Sequence, residues 1–490
     1  MSTTDTSTEF QEAFTQAATL VEMGQWSDAM ERLLALKRDH PVHPGIWHLL
    51  GLVRQEMGDL RGAVEGMSQA ATIAPDNAVF QLDLGILLKK KGARFPAMER
   101  LREALRLDPE SAAAHFHLAD LWMDQGEIEA AIGALTRAVA IQPDLVEGWI
   151  NLGLCQKSRN QPEAARESFR QALRCQPDHP QAHVNLAMAL LMTGAYQEGW
   201  QEYAWRFRLP RPSLAFAPSP LPVWQGEALQ QKTILLLGEQ GFGDMIQFIR
   251  FAARLAEQGA RVLAAVPTPL VTLFRRAPGV AVVQDHLYFK EPIHYQIPLL
   301  SVPGILGTTL DTIPSADGYL TPDPQLADAW AARLTGDACK VGLIWAGKPL
   351  HANDPLRRRS CTLADLAPLA QLPGVRLFSL QKGAPELPSR PIPEGLPIVS
   401  LEEHLTDFAA TAAIMSRMDR IITIDSATAH LAGALGRPVW TLLPMAPDWR
   451  WGMDQPTTPW YASMRLFRQC VTDRWDKPVA AILQALRERA

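Results

Sequence analysis

Cysteine is scarce in this sequence, and no two cysteines form a C-x-x-C pair. Its five cysteines are scattered along the chain, at Cys155, Cys175, Cys339, Cys361 and Cys470. Such a distribution argues against both a disulfide framework and a zinc site. We therefore expect reduced thiols.

Long apolar runs and an excess of basic charge are also missing. No uninterrupted apolar stretch approaches the roughly 20 residues that span a bilayer, and the N-terminal segment MSTTDTSTEF lacks the basic region and apolar core of a secretion signal. The formal net charge of -5 argues against nucleic acid or an anionic membrane as the main partner. We predict a cytoplasmic protein with no membrane span and no nucleic-acid partner.

A 34-residue period dominates the first 208 residues. It is carried by prolines, leucines, alanines and a turn position: Pro41, Pro75, Pro109, Pro143 and Pro177; Leu50, Leu84, Leu118, Leu152 and Leu186; Ala29, Ala63, Ala97, Ala131 and Ala165; Gly24, Gly58, Gly92, Gly126, Asn160 and Gly194. This period with its closing proline is the signature of tetratricopeptide (TPR) repeats. Gly or Asn would end each first helix in a left-handed turn, and proline would stop the second. The sequence thus predicts an α-helical solenoid.

One position on the first helix of each repeat is a candidate binding position. Eight residues after each proline stand Leu49, Asp83, His117, Asn151 and Asn185. The segments WINLG and HVNLA around the two asparagines resemble the repeats of TPR-bearing O-GlcNAc transferases, in which an asparagine ladder grips an extended polypeptide. That resemblance implies an acceptor groove containing Asn151 and Asn185. The alternative is that both are simply solvated helix residues.

A proline-rich segment, LPRPSLAFAPSPLPVW, marks the domain junction because proline removes backbone donors and stiffens the chain. Before it, Trp200 and Trp205 have helical spacing and predict a helix that seals the repeats onto the next domain. After it, short apolar strands alternate with helices in two series, which predicts two Rossmann-like lobes with parallel sheets. The predicted domains are a repeat array at 1–208, a linker at 209–228, lobes at 229–336 and 337–472, and a final helix at 473–490.

Ligands of parallel sheets bind beyond the carboxyl ends of the strands, where this sequence carries polar and glycine residues. After the first strand comes GEQGFGD, in which Gly241 and Gly243 let the backbone approach an anionic ligand. Asp244 is either a functional acid or only the cap of the following helix. After the strand RIITID, the residues Asp425, Ser426 and His430 either hold sugar and phosphate groups or form a cap and a core histidine.

These residues carry a resemblance to the bacterial heptosyltransferase family over roughly residues 232–470. It is strongest in TIDSATAHLAGALGRPVW and GFGDMIQF. The resemblance implies the GT-B fold, a nucleotide-sugar donor and Asp244 as general base. Where the family has a phosphate-binding lysine, this sequence has a run of three arginines, of which Arg359 is nearest to the lysine position.

The segments WAGKP, SLQKG, PMAPDWRW and PWYASMRLFRQ extend the resemblance to bacterial TPR-glycosyltransferases, some of which are linked to flagellin modification. This implies a donor site that includes Gly347, Lys348 and Lys382, with Lys348 standing where asparagine is expected. The tryptophans Trp449, Trp451 and Trp460 either stack on a base or sugar or pack in a core. The GT-B resemblance also implies that the final helix braces the first lobe.

We thus predict an inverting glycosyltransferase whose repeats hold a protein acceptor, for example a flagellin-like one. Two alternatives stay open: the acceptor is a glycan or lipid-linked saccharide, or the chain is an inactive TPR scaffold. The nucleotide-sugar would be a substrate, with no cofactor. We expect no metal, because the sequence has no D-x-D motif and GT-B enzymes typically use basic side chains instead.

Overall fold

The computed structural model describes residues 3–210, 214–216, 220–314, 317–347, 359–383, 392, 395–472 and 474–488, with side chains from residue 8 onward. Lys348 therefore lies outside the described residues. The chain divides into two compact units. The first comprises Met1–Gln156 and Glu167–Asp178, and the second Lys157–Arg166 and His179–Ala490.

Helical pairs build the N-terminal part of the chain. The helices are α1 (Thr3–Glu22), α2 (Trp26–Asp39), α3 (Pro44–Glu56), α4 (Leu60–Ile73), α5 (Ala78–Lys90), α6 (Arg94–Leu107), α7 (Ala112–Gln125), α8 (Ile128–Ile141), α9 (Val146–Ser158), α10 (Pro162–Cys175), α11 (Pro180–Met192) and α12 (Tyr196–Tyr203). The predicted left-handed turns are confirmed, with φ of +81° at Gly58 and +57° at Asn160. The TPR solenoid predicted from the period is confirmed.

Small residues let the two helices of a repeat approach closely in the first unit. A Cβ atom on Gly51 would lie 2.9 Å from Cγ of Met67, and one on Gly153 would lie 2.5 Å from Cε1 of Phe169. Real Cβ contacts are longer, so the second helix would have to move. This explains why the position repeats as glycine or alanine at 34-residue steps.

The second unit contains a smaller lobe built on a parallel sheet with the order β3-β2-β1-β4. Its strands are β1 (Thr233–Leu237), β2 (Arg261–Ala265), β3 (Val280–Gln284) and β4 (Tyr295–Pro298). Its helices are α13 (Phe242–Phe248), α14 (Phe251–Glu257), α15 (Thr268–Phe274) and α16 (Val302–Ile305). We call this lobe the N-lobe. The next helix, α17 (Pro324–Arg333), packs instead against the lobe that follows, where Nε of Arg417 donates to the Ala327 carbonyl at 2.8 Å. Strand β1 is buried throughout, as expected for a strand covered on both faces.

A larger lobe, the C-lobe, follows with the strand order β10-β11-β9-β8-β5-β6-β7. Its strands are β5 (Cys339–Ile344), β6 (Val375–Ser379), β7 (Ile398–Ser400), β8 (Arg420–Ile424), β9 (Val439–Leu443), β10 (Thr457–Thr458) and β11 (Tyr461–Arg468). Its helices are α18 (Leu363–Leu366), α19 (Phe408–Met415), α20 (Ala427–Ala434) and α21 (Asp476–Arg487). All pairs are parallel except β10 with β11. The predicted two-lobed α/β domain is confirmed and is consistent with a GT-B-like fold.

The sealing role predicted for the tryptophan pair holds for one of its members. Trp200 is buried, and its Nε1 donates a hydrogen bond to the carbonyl of Thr308 in the N-lobe at 2.9 Å. Trp205 instead stacks on His183 of α11, with ring centroids 3.7 Å apart. Both contacts lie within the second unit.

The expected position of the last helix is wrong. Val479, Ile482 and Leu486 of α21 pack in the hydrophobic core on one face of the C-lobe sheet. The apolar stripe of α21 is therefore buried against the lobe that directly precedes it in the chain. Among the described residues, no helix is long and apolar enough to cross a membrane.

Candidate functional site

The loop between β1 and α13 is held by residues that come from the end of the repeats. Glu239 is buried and accepts hydrogen bonds from Nε and Nη2 of Arg206 at 3.0 and 2.9 Å and from the Leu300 amide at 2.8 Å. Gln240 adopts a left-handed φ of +59°, and its Nε2 donates to the Tyr203 hydroxyl at 2.6 Å. These contacts fix the path of the chain into α13.

Asp244 lies in the first turn of α13, and both of its carboxylate oxygens have partners. Oδ2 accepts a hydrogen bond from the Gly241 amide at 2.9 Å, which is a capping interaction, and Oδ1 is bound by Nη2 of Arg450. The side chain is still 21% exposed. The cap role is therefore present, and it leaves part of the carboxylate within reach of a ligand.

Arg450 contacts Asp244 from the opposite lobe. It lies in a short 3₁₀ helix, Trp449–Trp451, in the loop after β9. Its Nη1 donates to Oδ1 of Asp448 at 2.8 Å and its Nε to Oε1 of Gln247 at 2.5 Å. Burial works against its charge, but the Asp448 and Asp244 carboxylates outweigh burial and raise the pKa of Arg450. This arginine lies in the segment PMAPDWRW, and the sequence alone predicted no role for it.

Gly243 allows the two lobes to touch. A Cβ atom on it would lie 2.7 Å from Cδ2 of His430 and 3.2 Å from Cα of Ala427. His430 is buried, and its Nδ1 shares a hydrogen bond with the Tyr461 hydroxyl at 2.9 Å. Burial, followed by the charge of Arg450, lowers the pKa of His430 to about 3. The imidazole is therefore neutral at physiological pH and packs at the seam between the lobes.

Asp425 and Ser426 follow β8 at its carboxyl end. Burial, and then the Asp448 carboxylate, raise the pKa of Asp425 to about 6, while the charge of Arg359 opposes them. The Ser426 hydroxyl makes hydrogen bonds to Oγ1 of Thr428 at 2.7 Å and to the Ile424 carbonyl at 3.2 Å. Ser426 makes no side-chain capping bond to α20. A carboxyl group with a perturbed pKa and a nearby basic side chain at a strand end is typical of a ligand-binding edge.

The adjacent strands β5 and β6 end at the same edge of the sheet. The Gly347 amide donates to Oγ of Ser360 at 3.2 Å, and a Cβ atom on Gly347 would lie 3.4 Å from Nε of Arg359. Arg359 and Gly347, two of the predicted donor-site residues, are therefore neighbours. After β6, Nζ of the exposed Lys382 donates to the Leu405 carbonyl at 2.7 Å.

The three tryptophans of the last segments belong to the core. Trp449, Trp451 and Trp460 are all buried. The ring centroid of Trp449 lies 5.6 Å from that of Trp200, and the ring centroid of Trp460 lies 5.7 Å from that of Phe248. Of the two alternatives raised by the sequence, packing describes them.

The candidate acceptor position in the first unit is part of a polar network. Nδ2 of Asn151 donates to Oδ1 of Asp120 at 2.9 Å, and Oδ2 of Asp120 pairs with Lys89. Nζ of Lys89 also lies 3.4 Å from Nδ1 of His117. These residues come from α5, α7 and α9, so the network links the first helices of three successive repeats.

Asn185, in the second unit, is only 5% exposed. Its Oδ1 accepts a hydrogen bond from Nε2 of Gln181 at 3.1 Å, and its Nδ2 is buried with no hydrogen-bond partner among the described residues. An approaching polypeptide would reach little of this side chain in the present arrangement. Within the described ranges, no group of three or more His, Cys, Asp or Glu residues is arranged to hold a metal ion.

Comparison with known proteins finds family matches in the repeats and in the C-lobe. Residues 97–149 and 152–204 match tetratricopeptide repeats, and residues 374–478 match glycosyltransferase family 9 (heptosyltransferase). Protein FlbA of Caulobacter vibrioides (strain ATCC 19089 / CIP 103742 / CB 15) is 29% identical over 335 residues, which cover 62% of this chain and 54% of FlbA. The chain thus spans about half the length of this curated relative.

Two solved structures are similar to part of this chain. MamA is 25% identical with a TM-score of 0.31, covering 32% of this chain and 93% of MamA. A thermophilic TPR protein of Thermus thermophilus is 21% identical with a TM-score of 0.30, covering 37% of this chain and 99% of its own. The two repeat matches and the family 9 match show that this chain joins tetratricopeptide repeats to a C-terminal glycosyltransferase family 9 domain.

Proposed function

We propose that this protein transfers a sugar from a nucleotide-sugar donor to a hydroxyl group of an acceptor. The observation that carries the proposal is the contact of two lobes at one point. Asp244 of the N-lobe is bound by Arg450, which follows β9, and Asp425 and Ser426 follow the adjacent strand β8. An acid from one lobe thus lies beside the ligand-binding edge of the other, where a donor and an acceptor can meet.

The C-lobe edge would bind the donor. Negative charge develops on the diphosphate as the bond to the sugar breaks, and fixed positive groups stabilise it. Arg359, beside Gly347 and close enough to Asp425 to affect its pKa, is the main candidate for that role. The amides at the N-terminus of α20 would add to it. We further propose that Lys348 and Lys382 assist, so that basic side chains take the place of a divalent cation.

Asp244 would act as general base. It would accept the proton of the acceptor hydroxyl while that oxygen attacks the anomeric carbon, and the diphosphate would leave from the opposite face with inversion. Both carboxylate oxygens already accept one hydrogen bond, but a carboxylate oxygen has room for a second. The exposed part of the side chain is where the acceptor hydroxyl would approach.

The repeats would hold a polypeptide acceptor. The support is the polar network on α5, α7 and α9, because paired amide and charged side chains on one side of a solenoid can bind the backbone of an extended chain. Asn151 is the accessible member of the predicted pair, since Asn185 is buried. A glycan or lipid-linked acceptor and an inactive scaffold are the alternatives that experiment must separate.

A donor screen tests the transfer itself. The full chain would be incubated with a panel of uridine-, guanosine-, adenosine- and cytidine-based nucleotide-sugars, with and without EDTA, and release of the free nucleotide measured. We expect one donor to be hydrolysed regardless of EDTA, and Asp244→Asn to reduce the release to a small but measurable residual rate. Asp419→Asn, at the opposite end of β8 from Asp425, serves as the matched control and should retain it. If no donor is bound or hydrolysed, even with cell extract as the acceptor source, the scaffold alternative is correct.

The class of acceptor needs a second measurement. The full chain and the active donor, radiolabelled in the sugar, would be added to an extract of cells that lack this protein. Label that is released by protease and not by organic solvent would support a protein acceptor, whereas solvent-extractable label would favour a lipid-linked saccharide. Asn151→Ala should lower protein labelling and leave donor hydrolysis unchanged.

A further inference from the structure

Arg450 is a buried cation with three different partners from both lobes. Its side chain is 7% exposed, and it donates to Asp448 of its own loop and to Gln247 and Asp244 of α13. A buried charge with poor partners is strongly destabilising, so such a residue persists only where its hydrogen bonds are satisfied. The Asp448 carboxylate supplies one counter-charge within the C-lobe.

The planar guanidinium makes these contacts directional. Its three donating nitrogens are each committed to a different oxygen, which fixes the plane of the group. The Gly241 amide holds the other oxygen of Asp244 at 2.9 Å. With one oxygen held from the N-lobe backbone and the other from the C-lobe, the carboxylate cannot rotate freely.

We propose that Arg450 is a positioning residue for Asp244: it sets the orientation of this carboxylate and makes that orientation depend on contact between the two lobes. The inference rests on the proposed function, in which Asp244 is the base. When the lobes separate, the Arg450 nitrogen leaves Oδ1 and the carboxylate gains rotational freedom. A correctly oriented base then exists only when the donor edge of the C-lobe is in place beside it, which limits wasteful attack by water.

A double-mutant cycle tests this inference. Arg450→Met, Asp244→Asn and the double variant would be made in the full chain, together with Arg450→Lys. Turnover and KM would be measured with the donor found by the screen, and folding by thermal unfolding. Arg468→Met is the matched control, because Arg468 holds the same loop through the carbonyls of Trp451 and Gly452 and has no bond to Asp244.

Arg450→Met should lower turnover by about 10- to 100-fold, because a misoriented base loses most of its effective concentration, and the KM for the donor should change by less than about 3-fold. The turnover of Arg450→Lys should lie between those of the wild type and Arg450→Met, since an ammonium group keeps the positive charge but lacks the planar set of N–H donors of the guanidinium. In the Asp244→Asn background, Arg450→Met should cause no further loss, because residues that act as one unit are not additive. Arg468→Met should retain turnover.

Three results would overturn the inference while the proposed function stands: unchanged turnover in both Arg450 variants, a loss that appears only in KM, or losses that add in the double variant. Full turnover in Asp244→Asn would instead remove Asp244 as the base, and with it this inference, whereas the proposed sugar transfer would stand. If Arg450→Met does not fold, Arg450→Lys and Arg450→Gln decide by the same criteria.

Discussion

Ionisation of Asp425 is costly in the folded protein. Burial and the Asp448 carboxylate together raise the pKa of Asp425 to about 6, well above the usual value for aspartate, near 3.9. The folded state therefore holds its proton through a pH range in which the unfolded chain has already released it. The free energy of unfolding must fall as pH rises through that range, and the full cost is present above about pH 6.

Asp425→Asn should consequently stabilise the protein at neutral pH. We expect a gain of about 1–2 kcal/mol at pH 7.5, less than the full linkage value because the side chain is half-buried, and a gain near zero at about pH 4. Urea unfolding at the two pH values measures it. Donor turnover should fall in the same variant. An equal gain at both pH values would show that packing, and not ionisation, is responsible.

Among single residues, the polar ones that directly follow strands could be identified from the sequence. Asp425 and Ser426 lie at the end of β8 as predicted, and Gly347 lies beside Arg359. Arg450 was missed because its partner Asp244 is 206 positions away and belongs to another lobe. The sequence feature that could have pointed to Arg450 is its position between two tryptophans in a loop that follows a strand. The burial of Asn185 could not be predicted for a related reason, because the period places it on a helix face and cannot show which later element buries that face.

The pairing of helices in the repeats depends on a few close contacts at glycine. Gly153 of α9 has Phe169 of α10 so near that a Cβ atom would lie 2.5 Å from the ring. Apart from its own helix backbone, Gly133 of α8 has no described atom within 4 Å of its Cβ position. Comparing substitutions at these two glycines therefore distinguishes the effect of close packing from the effect of helix propensity.

Gly153→Ala should destabilise the first unit by about 1–3 kcal/mol, because the added methyl group overpacks the helix pair. Gly133→Ala should stabilise it by about 0.5–1 kcal/mol, because alanine is the better helix former and meets no neighbour. Circular dichroism during urea unfolding would measure both. Equal effects of the two substitutions would contradict the packing explanation.

The loop between β1 and α13, which precedes Asp244, allows a test of how much a buried ion pair stabilises it. Arg206 and Glu239 form an ion pair that is buried on both sides, with side-chain exposures of 7% and 2%. Arg206→Met leaves the carboxylate of Glu239 buried and unpaired, which should cost about 3–5 kcal/mol. Adding Glu239→Gln should recover part of that loss.

Arg261→Met is the matched comparison, because Arg261 pairs with Glu291 at the surface. An exposed pair contributes less than about 1 kcal/mol. Urea unfolding of the full chain would measure these variants, and donor turnover would show whether the loop still places Asp244. A loss in Arg206→Met no larger than that in Arg261→Met would mean that the ion pair does not hold the loop.

Periodicity and alternation predicted most elements correctly. The helical pairs, their left-handed turns and the two series of strands alternating with helices are present where the sequence indicated them. The antiparallel pair β10 and β11 and the position of α21 were not foreseen. A local pattern shows which face of a helix or strand is apolar. It does not show which other helix or strand packs against that face, because that depends on how the whole chain folds.

For the molecule as a whole, the most informative feature is which helices belong to the second compact unit. It includes His179–Ala490 and Lys157–Arg166, so α11 and α12 belong to the same compact unit as both lobes. Leu191, Tyr196 and Trp200 of these helices lie in one hydrophobic core with residues of the N-lobe and the C-lobe. The last helical pair thus contributes to the interior of the transferase part of the chain.

The extent of the second unit predicts which fragments of the chain fold on their own. A fragment of residues 157–490 retains every residue of the second unit, and we expect it to unfold in one cooperative transition. A fragment that starts at residue 209, where the proline-rich segment begins, loses Trp200 and the Arg206 partner of Glu239. Removing a buried aromatic side chain alone costs about 3–5 kcal/mol, and leaving Glu239 unpaired costs about as much again. Since domains are stable by only about 5–15 kcal/mol, the shorter fragment should aggregate or unfold at room temperature. Equal solubility and equal unfolding midpoints of the two fragments would show that α11 and α12 are dispensable for the two lobes.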